Sequence, residues 1–311
     1  MTQTYLPTER TLDTITSPTP SGWIEAHKLV QGFLAEPTFI DALSSSVLHP
    51  IDKTSVEYAK ALSVYAGEYC DTHEQDKSIG RGLADQIKLL ANASYYLHNE
   101  KEISYYENER DVRHLTDEEW KYYQDFKPYM IWYNQLLSDY VYTNPHGTLS
   151  DVNTALINQA LPSFPGESEA VERNIKRATR GARTEAASRE LLDRTPIDYS
   201  PGTIEDDLRG GDLIVTYKGH RVKVDIKSSL SDIAAVRGGY SEIDEHQLNY
   251  AILKARRDGN DKAKHVVVIF PGFTDADFGD SLSLQLSAET IQTHANSLAH
   301  QLTLAFHELQ L

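Results

Sequence analysis

The chain has 311 residues, 40% of them hydrophobic, and a formal net charge of −16. That length suits two domains, or one domain with a large helical extension, and no apolar run reaches the ~18 residues that spanning a bilayer needs. A single cysteine, Cys70, excludes a disulfide framework, a multi-cysteine zinc site and a four-cysteine iron–sulfur cluster, and the acidity argues against non-specific coating of nucleic acid.

Residues 1–20, rich in Thr, Ser and Pro, read as a loose lead-in without the basic-then-apolar layout of a secretory signal, so a cytoplasmic location is expected. From Gly22 to about His146 the pattern is helical. Trp23, His27, Val30 and Leu34 recur at steps of three to four; a short helix is expected from Pro37 through Val47, then longer ones around Tyr58–Tyr69 and Leu83–Leu97. Residues 95–143 are rich in tyrosine among many acids. Thr116 before Asp117-Glu118-Glu119 reads as a helix cap, and Pro128 is expected to open or kink the next helix. The tyrosines could stack on bases or meet a protein partner, but packing with hydroxyls reaching water is the favoured reading, because the neighbouring acids would repel phosphates.

Asn144-Pro-His-Gly147 and Leu161-Pro-Ser-Phe-Pro-Gly166 are the strongest boundary signals, flanking a short helix over about Asp151–Ala160. Charge is uneven across this boundary: residues 1–165 hold 12 Lys/Arg against 23 Asp/Glu, residues 166–311 hold 18 against 23. A helix is predicted over about Glu167–Asp193, with Ile175, Ala178, Ala182 and Ala186 near one stripe. Arg173, Lys176, Arg177, Arg180 and Arg183 lie on it with no acid between Arg173 and Arg183; they suit phosphate contacts and a solvated helix face about equally well. Glu185 borders the apolar stripe, where a carboxylate is costly to bury unless a cation or donor meets it.

Gly211-Asp-Leu-Ile-Val-Thr-Tyr-Lys-Gly-His-Arg-Val-Lys-Val-Asp-Ile-Lys227 reads as two strands joined by a tight turn at Lys218-Gly219. Side chains alternate along a strand, so Asp225 and Lys227 share one face while Val222, Val224 and Ile226 point to a core, with Asp212 on the partner strand. Two carboxylates and an amine on neighbouring strands suit a hard divalent cation and an activated water. Beyond them a loop over 230–242 containing Arg237 is expected. A helix over about Asp244–Arg257 with His246, Gln247 and Tyr250, a buried strand over His265–Phe270 and a last helix over Ala288–Leu309 complete the chain. No Walker loop, dinucleotide fingerprint, HExxH or nucleophile elbow is present, and no fixed-period repeat.

The triplet Asp225-Ile226-Lys227, with Asp212 on the strand before it and Glu185 on the preceding helix, resembles the PD-(D/E)xK nuclease superfamily. Gly211 stands where that family's proline would, and Gln247 lies one residue too close to Tyr250 for the Gln-x-x-x-Tyr pattern of some exonuclease relatives. The resemblance covers residues 166–311. It implies a restriction-endonuclease-like α/β domain, a mixed central sheet flanked by helices, behind a mostly α-helical N-terminal domain over residues 1–165. It implies Mg²⁺, for which Mn²⁺ can substitute, held by Asp212, Asp225 and the Ile226 carbonyl. Glu185 would serve a second ion or a metal-bound water, and Lys227 would orient and help deprotonate the attacking water. Arg177, Arg180, Arg183, Arg237 and Gln247 are the weaker candidates for DNA contact. The expected activity is a metal-dependent DNA endonuclease, as a homodimer if both strands are cut. An end- or structure-processing recombination exonuclease, and a non-catalytic DNA-binding or assembly protein on the same fold, remain alternatives.

Overall fold

The computed structural model describes residues 20–37, 39, 41, 53–107, 114–144, 146–208, 211–228, 250–254, 265–269, 271–278 and 283–309. It is mixed α/β, mostly helical, with a small mixed sheet towards the C-terminal side. The N-terminal helices are α1 (Pro20–Gly32), α2 (Val56–Gln75), α3 (Arg81–Tyr105), α4 (Asp117–Thr143) and α5 (Leu149–Ala160), followed by the long α6 (Ser168–Leu192). Their apolar stripes close on one another around Ile87, Leu90, Tyr133, Leu137 and Leu156. Thr116 caps α4 in a reciprocal box with Glu119, satisfying two otherwise orphaned backbone N–H groups. Pro128 does not open a helix: α4 runs through it, and residues on both sides of it, such as Tyr122 and Met130, pack on the helical core. Tyr96, Tyr122, Tyr129 and Tyr133 behave as packing residues. Tyr96 and Tyr133 stack with ring centroids 4.4 Å apart, and the Tyr122 and Tyr129 hydroxyls donate to Asn99 and Asn92 at 2.8 Å.

Five strands, β1 (Asp198–Pro201), β2 (Leu213–Tyr217), β3 (His220–Ile226), β4 (Tyr250–Lys254) and β5 (His265–Ile269), form one sheet in the order β1-β2-β3-β5-β4. β2 and β3 make a hairpin whose turn residues Lys218 and Gly219 both have positive φ, 46° and 82°, the twist-matched geometry of a two-residue hairpin turn. β3 pairs with β5 in parallel, and β4 runs antiparallel to β5 along its other edge. Leu213, Val222, Val224 and Val267 face a second core, closed by Leu298, Leu302 and Phe306 of α8 (Ala288–Glu308). α6 belongs to both cores: Val171, Ile175, Ala182 and Ala186 pack among the helices, and Ala187, Leu191 and Leu192 pack under the sheet.

One expected element is of a different kind. The helix read over Asp244–Arg257 is replaced at Tyr250–Lys254 by β4, in register from Tyr250↔Ile269 to Lys254↔His265. A short apolar run carries no decisive period, and the free edge of β5 supplied the pairing that set its conformation. Gln247, Arg237 and the expected loop over 230–242 lie outside the described residues, as does most of the short helix read from Pro37 to Val47. No helix among the described residues is long and apolar enough to cross a membrane.

Candidate active site

Strand alternation places Lys223, Asp225 and Lys227 on the side of β3 opposite Val222 and Val224, and a short helix, α7 (Ile204–Asp207), covers that polar side. Lys223 pairs with Asp206 of α7 at 3.5 Å. Gly211 donates its backbone N–H to the Asp206 carbonyl at 3.0 Å, a bond that proline could not make. Gly202 is needed where β1 passes this turn, since a Cβ there would meet the Gly211 carbonyl oxygen at 2.2 Å.

Asp212 leads into β2 directly beyond the Leu213↔Val224 pair, opposite Asp225. Its Oδ2 accepts the Ile226 backbone N–H at 2.6 Å, tying the first acid to the triplet. Lys227 Nζ donates to Asp225 Oδ1 at 2.5 Å, and its own N–H donates to the Ile269 carbonyl of β5 at 2.8 Å. Glu185 arrives from the middle of α6, flanked by the buried Ala182 and Ala186, whose small side chains let the helix approach. Glu185, Asp207, Asp212, Ile226 and Lys227 line one cleft of about 420 Å³, walled on the other side by Tyr96 and Glu100 of α3 and Met130 and Asn134 of α4. The predicted quartet Glu185, Asp212, Asp225 and Lys227 is thus brought together, with Asp225 behind the lining and bonded to Lys227.

The electrostatics follow from crowding carboxylates out of water. Burial, with Asp207 and Asp139 nearby, pushes the Glu185 carboxyl up from the ordinary 4.5 to about 7, against the pull of Ser138 and Arg189. Burial and the Asp225 charge hold Asp212 well above the usual carboxylate range, Lys227 only partly offsetting them. Burial works against the Lys227 ammonium, but Asp225 and Asp212 outweigh it, so its pKa is raised and it stays charged. Asp207 is pushed up to about 6 by burial and by Asp225. Sequence reading missed this fourth acid. Its signal was Thr203-Ile-Glu-Asp206, a capping box that starts a helical turn just ahead of Asp212.

The weaker candidates part company. Arg180 is exposed on α6. Arg177 lies at the cleft but bonds Glu100, whose carboxylate also accepts from Asn174 at 3.0 Å. Arg183 is a correction: its side chain, 4% exposed, turns to Asp275 at 2.5 Å and lies 3.9 Å over the Phe278 ring, where no phosphate can reach it. The arginines of α6 do not share one solvated face, because position 183 sits on the buried arc that joins α6 to the segment before α8.

The all-oxygen donor set, with more negative than positive charge, fits a hard divalent cation such as Mg²⁺ or Mn²⁺. Among the described residues no group of three or more His, Cys, Asp or Glu side chains is placed to hold a metal ion. No protein-family model matches this chain, and neither a curated protein nor a solved structure matches it.

Proposed function

We propose that this chain is a divalent-metal-dependent deoxyribonuclease of the PD-(D/E)xK type. One observation carries the reading: a helix glutamate, a strand-entry aspartate and the lysine of a D-x-K triplet line one cleft, with the triplet's aspartate bonded to that lysine behind the lining and in electrostatic contact with Asp212. Asp212, Asp225 and the Ile226 carbonyl would hold the ion, and Glu185 a second ion or a water. When bound, the ion supplies Lewis-acid stabilisation of the phosphate and a more acidic water. The protein's own groups do the positioning. Asp225 keeps Lys227 protonated and aimed, so its contribution is charge: it orients the attacking water and stabilises the negative charge that builds on the phosphorus oxygens. The water oxygen forms the new P–O bond, the bond to the sugar oxygen breaks, that oxygen takes a proton, and the water's released proton goes to solvent. Asp207 adds negative charge beside Asp225 and favours cation uptake.

Incubation of plasmid and linear DNA with Mg²⁺, against EDTA, tests this. Asp225→Ala and Lys227→Ala should each abolish cleavage with the fold retained by circular dichroism. Undiminished cutting by either variant removes the assigned site. Discrete bands from plasmid indicate the endonuclease form of the reading, and loss confined to linear DNA indicates an end-dependent enzyme.

A further inference from the structure

α4 carries an unusual stripe. Trp120, Tyr123, Lys127, Met130, Asn134 and Ser138 follow at steps of three and four, which at 3.6 residues per turn confines them to an arc of about 80°. The stripe begins with an aromatic pair: the Trp120 and Tyr123 rings stack at 5.7 Å and 12°, Trp120 being 38% exposed and Tyr123 half-buried against the helical core. Glu107 fixes the middle, bonding the Tyr123 hydroxyl at 2.9 Å and Lys127 Nζ at 2.8 Å. The stripe ends in the cleft, where Met130 and Asn134 form the wall and Ser138 approaches Glu185. From Trp120 to Asn134 the rise is about 21 Å, close to six stacked nucleotides at ~3.4 Å each.

Trp120 leaves more than a third of its surface in solvent while its indole lies parallel to the Tyr123 ring. The same pair is a platform for a nucleobase, since every base offers a π-face. Charge chooses between one strand and two. Asp117, Glu118 and Glu119 flank the platform, so a duplex, with one negative charge per ~1.7 Å of axis, meets about twice the repulsion of a single strand. A duplex also keeps its base faces stacked inside, out of reach of Trp120. The cleft is within the range of roughly 300–1,000 Å³ that takes in one small-molecule-sized group.

We propose that α4 guides single-stranded DNA into the cleft, its bases stacking on the Trp120–Tyr123 pair and its end nucleotide resting between Met130 and Asn134. The proposal rests on the nuclease reading only for what happens at the cleft, and binding to α4 is measured without it. In EDTA, anisotropy of a fluorescent oligothymidine long enough to span α4 is compared with that of a duplex of equal length. The single strand should bind at least about tenfold more tightly, with a shallow salt slope, because the one lysine of the stripe, Lys127, is held by Glu107. Trp120→Ala should weaken it roughly 5- to 150-fold, and Trp120→Phe should restore most of the affinity. Equal binding of both forms, binding indifferent to Trp120→Ala, or no binding at all overturns the proposal. Trp120-dependent binding without metal-dependent cleavage would refute the nuclease reading alone. Cleavage without that dependence would refute this one alone.

Discussion

Glu185→Gln should make the metal-free protein more stable while ending its cleavage of DNA. Burial beside Asp207 and Asp139 lifts the Glu185 carboxyl from 4.5 to about 7. Every tenfold change in proton affinity is worth about 1.4 kcal/mol, so the ceiling is about 3 kcal/mol, and the side chain's opening to the cleft reduces it to about 1–2 kcal/mol. The sign follows from proton linkage. A pKa raised on folding means that the folded state holds the proton more tightly. Its stabilisation is full below about pH 4.5 and is lost as the pH rises through about 7. Glutamine is neutral throughout, so wild type and variant should unfold alike near pH 4 and diverge as the pH climbs, the variant having the higher urea midpoint near pH 8. Urea titrations in EDTA across that range measure the difference. A Glu185→Gln protein equal to or weaker than wild type at the alkaline end would show that the Glu185 charge is not penalised, and the crowded-carboxylate picture would fail with it. Adding Mg²⁺ should then stabilise wild type more than the variant, by mass action on the folded state.

Two further substitutions probe the surroundings. Asp207→Asn removes a like charge beside Asp225 and should stabilise the metal-free protein above about pH 6 by on the order of 1 kcal/mol, read as a higher melting temperature, and weaken Mn²⁺ binding in calorimetry; an unchanged Mn²⁺ isotherm would take Asp207 out of the site. Arg183→Ala removes a buried guanidinium from its pair with the exposed Asp275 and uncovers Phe278, so it should cost about 2–3 kcal/mol in denaturant unfolding and leave DNA affinity per folded molecule unchanged. Weaker DNA binding without loss of stability would return Arg183 to the DNA interface.

Strand alternation and turn chemistry are local, and they were readable. Lys218-Gly219 demands positive φ, the period of two puts Asp225 and Lys227 together, and the apolar run Val266–Ile269 declares a buried strand. α6 was readable too, from the period of its small residues. What sequence could not supply was decided by partners distant in the chain. Tyr250–Lys254 became a strand because β5 had an unpaired edge. Arg183 left the arginine cluster because Asp275, far along the chain, lay under it. Asp207 joined the site because α7 folds over the polar side of β3, held by the Asp206–Lys223 pair. The α3–α4 wall of the cleft is of the same kind, since nothing in the spacing of Met130 or Asn134 announces residues 185–227 as their neighbours.

The charge balance of the site limits how it can work. Among the described residues, Glu185, Asp207, Asp212 and Asp225 crowd around the bonded ammonium of Lys227, in a chain whose net charge is −16. Arg177, the cation nearest the cleft on α6, is committed to Glu100. A phosphodiester therefore finds net repulsion at the cleft until the carboxylates are protonated or neutralised by a cation, and near neutral pH the second route is the effective one. On the nuclease reading, metal uptake and phosphate entry are linked, each raising affinity for the other by the same factor. The α4 stripe is exempt from that linkage, because stacking on Trp120 and Tyr123 uses base faces and little phosphate charge. On these two proposals strand capture and phosphate engagement would be divided between two surfaces, the first running on aromatic contact without metal and the second on the carboxylates with it.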